Sequence, residues 1–231
     1  MHAVDRRAVV AGLALLSVCN PAGAGMPEQL NVDAEEGSVG LTRYAAEQTG
    51  TRPGVLLLHG SHGFERKPRA YERYANALSA KGIDAYLLRY LTAADAPVFE
   101  SGSSTREKRE AYEAERFEGW AKRVSSVVTA VLARPDSSGR IGLLGFSLGG
   151  YVAADTAACD ERIAALAVLY GGMPDAMVSQ VKHLPPLIEL HGKADRNVPL
   201  AKGEQLVKLG KAIGTEAEIS GQATWFRLLG H

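Results

Sequence analysis

The stretch that most constrains this chain is Arg140 to Tyr151, which reads Arg-Ile-Gly-Leu-Leu-Gly-Phe-Ser-Leu-Gly-Gly-Tyr. Ile141 to Phe146 is a short apolar run of the kind that forms a buried strand. A serine follows, then two glycines, then an alanine-rich helical pattern from Tyr151 to Ala158. Gly145-Phe146-Ser147-Leu148-Gly149 fits Gly-x-Ser-x-Gly, the turn that carries a serine from a strand into a helix. Such a turn is tight enough that side chains two residues before and two after the serine collide, so both positions take glycine. The Ser147 hydroxyl is then held out of the sheet at a helix N-terminus, where main-chain N–H groups and the helix dipole favour a developing oxyanion.

Other apolar runs prepare the same kind of edge. Val55 to Leu58 reads as a central parallel strand buried on both faces, and His59-Gly60-Ser61-His62-Gly63 follows it. Loops at the C-terminal ends of such strands are where open α/β sheets build their sites. Two oxyanion donors are therefore expected, the Leu148 N–H after the serine and the Ser61 N–H from the early loop. His59, at the end of a buried strand, reads as structural, whereas His62 lies nearer the mouth. Further strands are expected over Ile83–Tyr90, Ile163–Tyr170, Leu187–Leu190 and Glu216–Ser220. Val39–Tyr44 reads as an edge strand or hairpin arm, in a stretch from Pro27 to Gly50 that is otherwise polar and mixed. Helices are expected over Tyr71–Lys81, Arg106–Ala133 and Leu200–Ile213, with Thr92–Thr105 as a loop bordering the pocket. Alternating strands and helices in this order predict a mostly parallel central sheet with helices on both faces. In the loop after Leu187–Leu190, Asp195 lies downstream of the serine. The order serine, acid, histidine makes it the candidate acid, which would orient an imidazole and stabilise its charged form.

The chain has 231 residues, 26 basic and 26 acidic, which leaves no nucleic-acid footprint. Its 46% hydrophobic content supports a packed core. Residues 1–24 read as an export signal: Arg6-Arg7, an apolar run from Ala8 to Val18, and Ala22-x-Ala24 as a small-residue cleavage site. The arginine pair resembles a twin-arginine signal, with general secretion as the alternative. The apolar run is too short to span a bilayer, so no stable membrane span is expected after its removal. Residues 25–231 are then one domain, periplasmic or secreted. Removal of Cys19 would leave Cys159 without a disulfide partner, as a core or helix-end residue. No histidine–cysteine cluster has metal-ligand spacing, and the reading requires neither cofactor nor metal. The sequence sets no oligomeric state.

Three motifs together resemble the dienelactone hydrolase family of α/β hydrolases: His59-Gly60-x-His62-Gly63, Gly145-Phe146-Ser147-Leu148-Gly149-Gly150, and His191-Gly192-x-x-Asp195-x-x-Val198-Pro199. The resemblance covers roughly Val55 to Ile219 and implies an α/β-hydrolase fold. It also implies a nucleophile at Ser147, where the best-known members carry cysteine. The family's histidine follows the last strand. Here Thr224 stands at that place, and His231 is the only histidine after Asp195. The sequence also ends before the C-terminal helix that the resemblance implies. His231 is therefore the candidate base.

Three readings follow. The first is a serine hydrolase that cleaves small carboxylic esters or lactones through an acyl-enzyme, with Ser147, Asp195 and His231 as its catalytic set. The second is a catalytically impaired protein that binds a small ligand in the same pocket. The third is a truncated product of an active relative.

Overall fold

The computed structural model describes residues 26–100 and 104–220. The expected export signal, Cys19, Thr224 and His231 lie outside the described residues. Eight strands form one sheet: β1 (Glu28–Ala34), β2 (Gly37–Tyr44), β3 (Arg52–Leu58), β4 (Asp84–Leu88), β5 (Ser137–Phe146), β6 (Ile163–Leu169), β7 (Leu187–Leu190) and β8 (Ala217–Ser220). Their order is β1-β2-β4-β3-β5-β6-β7-β8. The β1–β2 and β2–β4 pairs are antiparallel, and every later pair is parallel. Five helices are described: α1 (Pro68–Ser79), α2 (Ala96–Phe99), α3 (Arg106–Leu132), α4 (Leu148–Cys159) and α5 (Leu200–Ala212).

The parallel strands are apolar along their length because helices cover them on both sides. Tyr74, Ala75 and Leu78 of α1 pack with Val55, Leu57 and Leu144 on one face. Trp120, Val124, Val127 and Val131 of α3, with Val152 and Ala153 of α4 and Leu206 of α5, pack with Leu56, Leu143 and Leu166 on the other. Alternate residues of one strand thus enter opposite cores, as the two-residue period of a strand requires.

The expected strand boundaries hold to within a few residues, with two differences. β2 is the hairpin arm of its two expected readings and not the edge strand; it pairs with β1 on one side and β4 on the other. The edge is β1, whose alternation of exposed and half-buried residues is too polar to stand out in the sequence. The Thr92–Thr105 stretch also contains the short helix α2, which brings Phe99 into the core.

The sheet order places the site. After β3 the chain turns to β4 on one side; after β5 it turns to β6 on the other. β3 and β5 are neighbours, so the loops leaving them diverge and open a crevice at their C-terminal ends.

Candidate active site

Ser147 stands between β5 and α4 with φ 53° and ψ −121°, in the left-handed half of backbone space. A non-glycine residue held there costs about 1–3 kcal/mol unless surrounding contacts impose it. Those contacts are visible. A Cβ on Gly145 would run into the Gly149 carbonyl oxygen, and one on Gly149 into the Leu58 and His59 carbonyls. The Ser147 N–H donates to the Leu169 carbonyl at 2.9 Å, which ties the turn to the end of β6. Ser147 makes no side-chain cap to α4, so its hydroxyl is not spent on the helix. Leu148 is the first residue of α4, and its N–H has no intrahelical acceptor.

On the opposite lip, the loop after β3 closes with a Gly63 N–H to Gly60 carbonyl bond of 3.1 Å. Ser61 and His62 occupy the middle of this turn, with the Ser61 hydroxyl 3.2 Å from His62 Nδ1. His62 is exposed, and burial together with the Arg66 and Arg109 charges lowers its pKa. His59 is buried, as its sequence position implies. Its Nδ1 lies 2.7 Å from the Gly60 carbonyl, and its ring stacks on Tyr90 at 4.6 Å. Burial pulls its pKa down to about 4, which keeps the ring neutral.

Asp195 follows β7. Its Oδ1 accepts the Asn197 N–H at 2.7 Å and the Val198 N–H at 3.0 Å. The carboxylate therefore organises its own loop, and its second oxygen remains for another donor. A cavity of about 1760 Å³ opens over the strand ends, lined by Ser61, His62, Ser147, Leu148 and Asp195 among others. Of the five residues given site roles in the sequence, Ser61, Ser147, Leu148 and Asp195 are thus brought to one cavity, and His231 lies outside the described residues.

Sequence reasoning missed three groups at this cavity. Tyr170, just past β6, has φ 44°, and its side chain lines the cavity beside Phe146. The signal was the Tyr-Gly-Gly that closes an apolar strand, here read as strand. Tyr151 projects from α4 one turn beyond the serine, with Phe117 of α3 6.3 Å away. Glu113 of α3 also lines the cavity, and burial raises its carboxyl to about 7. Its charge-rich segment reads as a solvated face, and only the tertiary fold shows which residue turns inward. Among the described residues no cluster of three or more histidine, cysteine, aspartate or glutamate side chains is placed to hold a metal ion. None of their helices is long and apolar enough to cross a membrane. Cys159 ends α4, exposed and unpaired, as a helix-end residue.

Comparison with known proteins decides the family. Residues 42–221 match the model of the dienelactone hydrolase family. The chain belongs to that family. Among solved structures it is similar to a dienelactone hydrolase from Anabaena variabilis, with 24% identity, a TM-score of 0.65, and coverage of 84% of this chain and 85% of that one. It is also similar to a dienelactone hydrolase-like promiscuous phosphotriesterase from metagenomic libraries, at 18% identity, TM-score 0.70, and coverage of 87% and 82%. An acylaminoacyl peptidase from Pyrococcus horikoshii gives 14% identity and TM-score 0.65; the match covers 89% of this chain but only 39% of the peptidase. At these identities the structures establish the shared α/β-hydrolase fold. No curated protein matches the sequence. As a dienelactone hydrolase family member, the protein is a hydrolase.

Proposed function

We propose that this hydrolase cleaves small carboxylic esters or lactones through a serine acyl-enzyme. The observation that carries the proposal is Ser147 itself, a serine held at φ 53° on a strand-to-helix turn at the mouth of a cavity. That strain is maintained by contacts from three strand ends, and its effect is to present a hydroxyl beside the unpaired N–H groups of a helix start. In this reading Ser147 Oγ attacks the carbonyl carbon while a histidine takes its proton. The Leu148 and Ser61 N–H groups hold the resulting oxyanion. The imidazolium returns the proton to the departing alcohol, which stays tethered to the acyl chain when the substrate is a lactone. Water then repeats the sequence and releases the acid. Asp195 orients the imidazole through its unengaged oxygen, and His231 is the proposed base. The protein is proposed to work outside the cytoplasm, on the export signal expected over residues 1–24.

The test is turnover of p-nitrophenyl acetate and of a five-membered lactone by the full chain and by Ser147→Ala, Asp195→Asn and His231→Ala. The expected result is a fall in kcat of about 10⁴-fold for Ser147→Ala and for His231→Ala, with KM little changed. Undiminished turnover in Ser147→Ala would remove the proposal. Undiminished turnover in His231→Ala alone would move the base elsewhere, with His62→Ala the next variant.

A further inference from the structure

Beneath the Asp195 loop lies a buried ionisable pair that the proposed reaction does not touch. Glu189, in β7, is 0% exposed, and His191, just after β7, is 2% exposed. His191 Nδ1 lies 2.8 Å from Glu189 Oε1, and Nε2 lies 2.9 Å from the Val198 carbonyl oxygen. Val198 is the residue whose N–H Asp195 accepts. Its two main-chain groups are therefore held from opposite sides, the carbonyl by His191 and the N–H by Asp195. Glu189 Oε1 also accepts the Gly171 N–H at 3.3 Å, from the segment after Tyr170. Gly171 packs on Gly150 of the serine helix so closely that an added Cβ would come within 3.1 Å of the Gly150 Cα. One carboxylate thus reaches both loops that flank Ser147. Gly203 of α5 covers the pair, and a Cβ there would stand 2.8 Å from Glu189 Cγ and from His191 Nδ1.

The hydrogen-bond chemistry of this arrangement is restrictive. A carbonyl only accepts, so Nε2 must carry a proton to hold Val198. Nδ1 faces a carboxyl group, so a second proton must lie between ring and carboxyl. With two protons on the pair both bonds are made. With one, the ring must choose, and the carboxylate, the stronger acceptor, keeps it. Nε2 then presents a lone pair to the Val198 carbonyl, and that bond is lost.

We infer that Glu189 and His191 are positioning residues, a proton-dependent clamp that holds the Asp195 loop in place through Val198 and lets it loosen when the pair loses its second proton. The inference rests on the proposed role of Asp195. The surroundings favour keeping both protons into the neutral range. Burial raises the Glu189 carboxyl to about 7, against its bond to His191. Burial alone would lower His191, but the bonds to Glu189 and Val198 and the charges of Glu189 and Asp195 raise it above its ordinary value. Both shifts have one sign, so the clamp is complete at acid pH and opens as pH rises through the raised titration of the pair. The other groups facing the pair oppose this little. The Tyr151 phenol from α4 is pushed up by burial and by Asp175 and Glu189, and stays neutral. Lys202 of α5 is engaged by Asp175 at 2.6 Å. Val168 of β6 and Ile219 of β8, the registered neighbours of Glu189, are apolar.

The test uses the full chain with ¹⁵N-labelled histidine, wild type beside Glu189→Gln and His191→Phe. The ring protonation of His191 is followed by NMR from pH 5 to 9.5, together with the rate at which a fluorophosphonate labels Ser147. A glutamine amide donates to Nδ1, giving up the Gly171 N–H bond, while a neutral ring donates through Nε2, so Glu189→Gln keeps the Val198 bond with no carboxylate left to hold a second proton on the ring. In wild type the ring should pass from doubly to singly protonated above the ordinary histidine range while labelling slows by about tenfold. In Glu189→Gln the ring should stay singly protonated and the alkaline fall should vanish. His191→Phe should label slowly at every pH. A wild-type ring that is singly protonated throughout, or an alkaline fall unchanged in Glu189→Gln, would overturn the inference. Absence of labelling in wild type at every pH would count against the serine hydrolase reading instead. The clamp would then be judged by whether the Val198 amide loses exchange protection at the pH where the ring titrates.

Discussion

Ser147 and His59 show how one crowded turn serves two purposes. Gly149 lies against the Leu58 and His59 carbonyls, and the Tyr90 hydroxyl donates to that same His59 carbonyl at 2.9 Å. The turn that presents the serine is thus built against a histidine whose own ring is sealed in. That ring gives a pH signature. Its pKa is about 4 when folded against 6.5 unfolded, so the unfolded chain binds the extra proton between those values. The stability this residue contributes is complete above pH 6.5 and is lost progressively as pH falls toward 4. The stability difference between wild type and His59→Phe should therefore shift by about 3 kcal/mol against wild type between pH 7 and pH 4, measured by urea unfolding. A constant difference would mean that the ring charges freely in the folded protein. At this scale the sequence was informative where backbone sterics leave one solution, as at Gly145, Ser147 and Gly149. It was silent on Glu189, because one acidic residue in an apolar strand becomes meaningful only when the fold sets a histidine and a loop amide beside it.

At the scale of elements, the long connection from β4 to α3 is organised by one buried carboxylate. Asp95 is 0% exposed. It accepts from the Thr92 N–H at 2.6 Å, the Tyr112 hydroxyl at 2.7 Å, Arg116 Nε at 3.0 Å and Trp120 Nε1 at 3.1 Å. Arg116 continues to Glu36 in the β1–β2 turn at 2.8 Å, so the outer hairpin is tied to α3 through the same group. Removing the carboxylate leaves the buried Trp120 N–H and several other donors unmatched, while Arg116, half-buried, keeps Glu36. Asp95→Ala should lose about 3–5 kcal/mol in urea unfolding, and Asp95→Asn should lose less because part of the acceptor set survives. A loss under 1 kcal/mol in Asp95→Ala would show that the connection is held by its aromatic packing instead. The helix α3 was readable from periodicity and charge and runs over Arg106–Leu132 where the pattern placed it, whereas the short α2 was not. The edge strand β1 was not, because only its pairing with β2 makes it a strand. No local pattern announced Asp95, which lies in an alanine-rich stretch and gathers its partners from residues up to 25 positions away.

Across the whole molecule, one network of stabilising charge lies at the end of the sheet opposite the candidate chemistry. At the N-terminal ends of the parallel strands, Asp84 meets Arg43 at 2.5 Å and Arg52 at 2.9 Å, and Asp136 pairs with both arginines. At the C-terminal ends stand Ser61, Ser147, Tyr170 and Asp195. The two can be separated by substitution. Asp84→Ala should lower stability by about 3–5 kcal/mol, since it removes the buried carboxylate that both arginines share and leaves them the more exposed Asp136, yet leave the fluorophosphonate labelling rate unchanged while the protein is folded. A slowed rate in the folded variant would mean that the ends of the sheet are coupled. The most direct test of the central claim is mass spectrometry of the full-length protein after brief exposure to a fluorophosphonate at neutral pH, with Ser147→Ala treated in parallel. A single adduct is expected on the peptide that carries Ser147, and none in the variant. A folded wild-type protein that takes no adduct, or takes it on another residue, would contradict it.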